Sequence, residues 1–373
     1  MKNFKIFLSG SVQKQFKELN TGKTYWEAED EEYLRNSLDF PVELLNPNTI
    51  TIDKNDAEGR FKEDLKMVLE SDLIMVDAKD KKGIGIGSEM IFAKMYKIPV
   101  YAICPSNSHY RKNISDNQEW IHPFFYELSD KIFESKEEMV LYLNKLYKMG
   151  RIQNRTEIDI VDAMDRLNAY DGGYDEGYTA TENFWGNKPA KFVQEATDML
   201  KQQNINNAVC LDLGCGHGKN SIYLAEKGFK VTAIDVSYYS IKEARKLSNL
   251  VEWKVRDMKK IKCEKDKYDL VILTGSLHCL STIDEIRSVM DNVKSSTKIG
   301  GYNVISVFNN GVQDLSGHSL KFKPLLLGHD EYVDLYKDWK IIENSNTVLE
   351  DEHPHNKIKH KHSITRLLVQ RMR

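Results

Sequence analysis

Val209-Cys210-Leu211-Asp212-Leu213-Gly214-Cys215-Gly216-His217-Gly218 is an apolar run that enters a glycine-rich turn, and Asn220 to Lys227 behind it reads as a helix. Glycines there let the backbone bend sharply and approach a ligand closely at a helix N-terminus. A dinucleotide fingerprint would require Gly-x-Gly-x-x-Gly, but Lys219 stands at the third glycine position and Asp212 lies two residues before the first. Both departures point away from a nicotinamide cofactor.

Working outward, about 20 residues past the loop Val231-Thr232-Ala233-Ile234-Asp235 ends in an acid, where a carboxylate can hold ribose hydroxyls. Val251 to Val255 leads to Arg256-Asp257-Met258, which places a carboxylate and a flexible apolar side chain where an adenine would lie. A fourth strand, Tyr268 to Leu273, runs into Thr274-Gly275-Ser276. S-adenosylmethionine has no pyrophosphate; it carries a cationic amine and a sulfonium, which a carboxylate such as Asp212 can orient. It is therefore the expected cofactor, with Asp212, Gly214, Gly216, Gly218, Asp235, Asp257, Met258 and Thr274 as its site.

These residues resemble the class I methyltransferases, and more narrowly the tellurite-resistance methyltransferase group, over roughly residues 180 to 373. The stretches that carry the likeness are Leu211 to Leu224 and Gly300-Gly301-Tyr302-Asn303-Val304-Ile305. Lys357 to His360 and Ile364 to Gln370 look like the closing antiparallel strands of that fold. No Asn-Pro-Pro-Tyr-like motif follows the fourth strand, where Thr274 to His278 stands, which disfavours methylation of DNA-base amines. His278 is read as a base or substrate contact, or else as a polar residue capping a helix. Tyr178 and Trp185 belong to an aromatic segment, residues 170–185, read as a substrate lid or as irregular packing.

The first half repeats the alternation of short apolar runs and helix-length segments, at Lys5 to Leu8, Leu73 to Asp77 and Val100 to Ile103. The fold class is α/β: two doubly wound parallel-sheet domains, the C-terminal one Rossmann-like with an antiparallel closing hairpin. The boundaries read as 1–148 for the first domain, 149–165 for a linker and 166–373 for the second.

In the first half, Gly83-Ile84-Gly85-Ile86-Gly87-Ser88-Glu89 opens a helix, and Asp64 precedes it on another. Helix N-termini favour anions, so Glu89 is expected ionised, a nucleophile for an oxocarbenium-like sugar carbon with Asp64 as companion. Equally, Glu89 reads as a capping acid beside a phosphate-binding turn.

Asp64-Leu65 through Gly85-Ile86-Gly87-Ser88-Glu89 and Ala93 resembles the nucleoside 2-deoxyribosyltransferase superfamily, including its deoxynucleoside-monophosphate N-hydrolase branch, over roughly residues 1 to 130. The resemblance implies Glu89 as nucleophile, Asp64 as its acidic partner, and Ser9, Gly10, Gly85 and Gly87 as contacts to a nucleoside or nucleotide. It also implies assembly into a homo-oligomer through this domain. Phe7 stands where that family often has tyrosine, and Gly83 where transferases place an aspartate, with Asp77 or Asp80 as the available substitutes.

A chain of 373 residues suits two cores. With 41% hydrophobic and 29% charged residues and a net charge of −3, it builds a packed core and carries no field suited to a nucleic acid. No run approaches the ~20 apolar residues of a membrane span, and Met1 to Ser9 has no cleavable-signal pattern, so a cytoplasmic protein is expected. The five scattered cysteines read as reduced thiols. His353, His355, His360 and His362 cluster without a pattern that closes a metal site, and no metal is expected. The whole reads as a methyltransferase for a small molecule fused to an N-glycosidic-bond hydrolase or deoxyribosyltransferase; the alternative makes the first domain a silent nucleotide-binding or dimerising module.

Overall fold

In a computed structural model the described residues are 2–10, 26–53, 56–79, 83–106, 108–115, 118–169, 175–180, 184–315, 323–352 and 357–372. Asp80, His353 and His355, and residues 170–174 and 181–183 of the aromatic segment, lie outside them. The chain divides into two compact units, Met1–Ala163 and Met164–Arg373.

The first unit runs β1 (Phe4–Ser9), α1 (Ala28–Ser37), β2 (Val42–Leu45), α2 (Ala57–Glu70), β3 (Leu73–Asp77), α3 (Ile84–Met95), β4 (Val100–Ile103), β5 (Arg111–Ser115), β6 (Gln118–Ile121), α4 (Pro123–Leu128), β7 (Lys131–Phe133) and α5 (Lys136–Lys148). Its sheet has the order β2-β1-β3-β4-β7, every pair parallel, while β5 and β6 form a separate antiparallel ribbon. All five residues of β3 are buried, Leu73 to Val76 as the apolar run of a strand covered on both faces and Asp77 at its end. The strand order reverses between β1 and β3, and an open α/β sheet offers its ligand crevice at the carboxyl ends of such strands.

The polar stretch after α5 is tied to this unit. Arg155 N–H donates to Asp72 Oδ1 at 2.6 Å, Asn154 Nδ2 to Asp72 Oδ2 at 2.8 Å, and Arg155 Nη2 to the Tyr96 carbonyl at 2.6 Å. A helix, α6 (Ile160–Asn168), follows.

The second unit runs α7 (Asp175–Ala180), α8 (Lys191–Gln202), β8 (Val209–Leu213), α9 (Lys219–Glu226), β9 (Lys230–Asp235), α10 (Tyr238–Leu247), β10 (Val251–Val255), β11 (Tyr268–Thr274), α11 (Ile283–Ser296), β12 (Thr297–Gln313), α12 (His329–Asp334), β13 (Lys340–Glu352) and β14 (Lys359–Gln370). Seven strands lie in the order β10-β9-β8-β11-β12-β14-β13, parallel through β12 and antiparallel from there.

Alternate residues serve opposite faces. Cys210, Leu270, Ile272 and Val304 enter one core with Val193, Ala196 and Leu200 of α8. Leu211, Leu213, Val271, Leu273 and Ile305 enter the other with Ile286, Met290 and Val293 of α11. The two closing segments expected from sequence are one continuous strand, β14, and its outer partner is β13, which the sequence reading did not pick out. The physical reason is that β13 is largely exposed and carries little apolar pattern to find.

Candidate functional site

Each unit gathers candidate residues at its own switch point. In the second unit, β8 ends in Leu213 and the chain turns through Gly214, Gly216 and Gly218 at φ of +77°, +54° and +80°. Side chains rarely adopt these angles, and the space is also taken: a Cβ on Gly214 would meet Ser276, one on Gly218 the Trp253 ring, and one on Gly216 the Tyr178 hydroxyl. The loop is thus pressed against its neighbours, and Gly218 caps α9.

A cleft of about 1130 Å³ opens over the ends of β8, β9, β10 and β11. Of the residues selected from sequence, Gly214, Gly216, Gly218, Asp235, Met258, Thr274, His278, Tyr178 and Trp185 line it. Asp235 is buried at the end of β9; its Oδ2 accepts from Gly216 N at 2.8 Å and its Oδ1 from Ser237 N at 2.9 Å. Burial raises its pKa, against which the N–H groups of Ser237, Gly216 and Val236 act. Thr274 Oγ1 accepts from Asn220 Nδ2 at 2.9 Å, while Asn220 Oδ1 takes Ala190 N–H, so one amide ties the entry of α8 to the end of β11.

Two expectations are corrected. Asp212 is fully buried and does not line the cleft, because it turns toward α9, where Ser221 Oγ donates to its Oδ2 at 2.7 Å. Its Oδ1 is buried with no partner among the described residues, and burial pushes its pKa up to about 7. Asp257 likewise stays off the cleft wall: its Oδ1 accepts from Lys259 N and caps the short 3-10 turn Met258–Lys260, and it is Met258 that reaches the cleft.

His278 is 1% exposed. Its ring stacks on Phe308 at 4.4 Å and 23°, and Phe308 N donates to its Nδ1 at 3.4 Å. Desolvation, with a smaller push from His362, lowers its pKa to about 3, so it is neutral at physiological pH. Tyr178 lies on α7 with its ring 4.8 Å from that of His217, and the Trp185 carbonyl accepts from Lys219 Nζ at 2.6 Å. His360 and His362 are buried, and no group of three metal-ligating side chains occurs among the described residues. No described helix is long and apolar enough to cross a membrane.

In the first unit, the end of β1 and the second turn of α3 bring Ser9 and Glu89 together, with Ser9 Oγ donating to Glu89 Oε2. Asp64 on α2 shares a hydrogen bond with the same carboxyl. The Trp26 indole donates to the Ser9 carbonyl at 2.9 Å, and a Cβ on Gly85 would come within 3.7 Å of Glu89 Oε1.

The expectation of an ionised Glu89 in the first helical turn does not hold. The helix begins at Ile84, one turn earlier, so Glu89 is beyond the free N–H groups and buried beside a second acid. Burial first, and the Asp64 charge second, push its pKa up to about 8; burial also raises that of Asp64. Glu89 is the proton donor of the pair and Asp64 the acceptor. Phe7 is wholly buried in the sheet.

Sequence reasoning missed Asn220, Ser237, Arg256, Ser306, Ser345 and Arg366 at the second cleft. Asn220 was within reach, since it stands in the first turn behind the glycine loop. Ser306, Ser345 and Arg366 arrive by cross-strand register, which leaves no local signal.

A seven-stranded sheet with this order, an antiparallel closing hairpin and a glycine-lined cleft at its switch point defines a Rossmann-like methyltransferase fold. Residues 178–365 match the family described as Tellurite resistance protein TehB, and the chain belongs to that family. The probable S-adenosyl-L-methionine-dependent methyltransferase TehB of Haemophilus influenzae KW20 is 30% identical over 150 residues, 39% of this chain and 50% of that protein. The chain thus spans about half the length of the curated relatives it matches. The crystal structure of TehB from Haemophilus influenzae is 26% identical, covers 48% of this chain and 62% of that one, and superposes with a TM-score of 0.39. The N-methyltransferase NodS from Bradyrhizobium japonicum, in complex with S-adenosyl-L-homocysteine, is 18% identical over 54% of this chain and 99% of its own, with a TM-score of 0.38.

Proposed function

We propose that residues 166–373 form a domain that transfers a methyl group from S-adenosylmethionine to a small molecule. Asp235 carries this reading. Backbone N–H groups, those of Gly216 and Ser237 foremost, hold its carboxylate at the cleft wall, where its oxygens can accept from ribose hydroxyls. The rest of the donor set fits the cofactor: the glycine backbone at Gly214, Gly216 and Gly218 on the cleft wall, the flexible Met258 side chain for an adenine face, and Thr274 beside them. The likeness to the probable S-adenosyl-L-methionine-dependent methyltransferase of Haemophilus influenzae supports the same chemistry.

When bound, S-adenosylmethionine supplies a methyl group already activated on a sulfonium, so the chain's task is alignment and exclusion of water. Asp235 holds, the glycine loop yields space, and the Asn220 amide fixes the wall between α8 and β11. Asp212 acts from behind as a positioning residue, locked to Ser221. Calorimetric titration of the whole chain with S-adenosylhomocysteine is expected to show micromolar-range binding that Asp235→Ala weakens at least tenfold. Wild type that takes up no S-adenosylhomocysteine would overturn the reading.

For residues 1–148 we infer a second site that cleaves or exchanges the N-glycosidic bond of a nucleoside or nucleotide, with 149–165 as the joining segment. What supports it is the convergence of Ser9, Asp64 and Glu89 at the β1/β3 switch point, from three elements separated in sequence. Glu89, its proton taken by Asp64, would attack the sugar carbon as the bond to the base nitrogen breaks, and Asp64 would pass that proton to the departing base. Water or a second base would then displace Glu89, and Ser9 would orient the carboxylate. A cytoplasmic setting and assembly of copies through this domain belong to the same proposal. Incubating wild type and Glu89→Ala with deoxynucleosides and their monophosphates should release free base from wild type alone. Phe7, buried and without a hydroxyl, favours the second reading of a silent nucleotide-binding or dimerising module, which no release by wild type would support.

A further inference from the structure

The cleft of the second unit has a wall that runs from the cofactor residue Thr274 outward across β12, β14 and β13. Thr274 on β11 is in register with Ser306 on β12, Ser306 with Arg366 on β14, and Arg366 with Ser345 on β13. Side chains in register on neighbouring strands leave the sheet on one face, and all four line the cleft. Arg366 is the cation of this row. Its guanidinium donates to Thr347 Oγ1 at 2.7 Å and makes no ion pair among the described residues. Partial burial lowers its pKa, and no carboxylate acts to restore it. A half-desolvated guanidinium without a counter-ion is unfavourable until a ligand brings the opposite charge.

His278 supplies an independent observation. Because Phe308 N–H donates to its Nδ1, the neutral ring carries its hydrogen on Nε2. Nε2 is buried on a ring that lines the cleft, and no described residue accepts from it. Phe192, Val304, Phe308 and Ile364 line the same cleft and offer apolar cover beside these two donors.

We propose that Arg366 and the Nε2–H of His278 form the methyl-acceptor subsite, and that it takes a small organic acid, a carboxylate on an apolar body. The proposal rests on the methyltransferase reading of this cleft. Arg366 offers a planar fork matched to two carboxylate oxygens. His278 in this tautomer has no lone pair on Nε2, so it holds the acceptor and does not deprotonate it. At this pair a cationic amine would face two donors and a positive charge, so the discrimination against it is local to Arg366 and His278; Glu343 and Asp351 line the cleft elsewhere.

The test is calorimetry on the whole chain, with and without S-adenosylhomocysteine, using benzoate, benzamide, benzylamine and inorganic phosphate as probes. Benzoate is expected to bind at least tenfold tighter than the other three. Arg366→Gln and His278→Leu should each reduce benzoate to the level of benzamide, while Arg366→Lys and His278→Gln, which restore a donor, should recover part of the preference and so separate a lost donor from a lost fold. Phosphate bound as tightly as benzoate, or a benzoate preference that survives Arg366→Gln, overturns the proposal. If S-adenosylhomocysteine binds and benzoate is not preferred, the subsite alone falls; if neither binds, the methyltransferase reading falls with it.

Discussion

Glu89 and His278 are both titratable groups held neutral by burial, and they give opposite dependences of stability on pH. Glu89 keeps its proton in the folded state to about pH 8, whereas unfolded glutamate releases it near 4.5. Between those values the folded state binds more protons, so stability falls as pH rises, by up to about 1.4 kcal/mol per pH unit. Glu89→Gln mimics the protonated carboxyl. Urea unfolding of the first unit at pH 5.5, 7 and 8.5 should therefore show a decline in wild type that the variant lacks; equal slopes would place the pair's proton elsewhere. For His278 the folded value is about 3 against an ordinary 6.5, so the unfolded state binds the extra proton and stability is lost as pH falls through that window. Its imidazole resonances should show no protonation above pH 4, and nuclear magnetic resonance should report the Nε2–H tautomer. At Gly218 the cost is steric: Gly218→Ala places a methyl against the Trp253 ring on a left-handed backbone and should cost about 1–3 kcal/mol of unfolding free energy.

At the scale of elements, what the sequence makes legible is what is locally determined. β8, its glycine loop and α9 follow from an apolar run, three glycines and a helical face within eighteen residues, Val209 to Glu226. β9 and β11 follow from buried runs of the same kind. β13 does not, since it is a largely exposed outer strand that alternates without an apolar set. Arg366 was invisible for a related reason: only the pairing of β14 with β12 and β13 brings it to the cleft. Ser9 and Glu89 lie 80 residues apart, so their meeting was expected from resemblance and not from spacing. Asp212 was placed in the site because it stands at the loop, yet α9 claims its side chain through Ser221. The joint made by Asn220 couples such elements. Asn220→Ala would leave Ala190 N–H and Thr274 Oγ1 each short of a partner. It should cost about 1–3 kcal/mol of unfolding free energy and weaken the binding of S-adenosylhomocysteine. Gln194→Ala, which removes an exposed bond from α8 to the Pro189 carbonyl just before that helix, should leave that binding unchanged and serves as the control in the same titration.

For the whole molecule, the chain contains two open α/β sheets, and each gathers its acids at its own switch point. Ser9, Asp64 and Glu89 belong to the unit Met1–Ala163; Asp235, Thr274, His278 and Arg366 belong to Met164–Arg373. Each set is held by the core of its own unit, so substitutions in the two sets should behave additively, as independent sites do. Glu89→Ala is expected to abolish base release and leave the affinity for S-adenosylhomocysteine within about twofold of wild type. Asp235→Ala should do the converse, and the double variant should show both losses and nothing more. The informative departure is a change in base release when S-adenosylhomocysteine is added to wild type. If the change lies in nucleotide affinity, thermodynamic linkage requires the nucleotide to alter S-adenosylhomocysteine affinity by the same factor, and that reciprocal titration distinguishes a shared regulatory state from an effect on the rate alone.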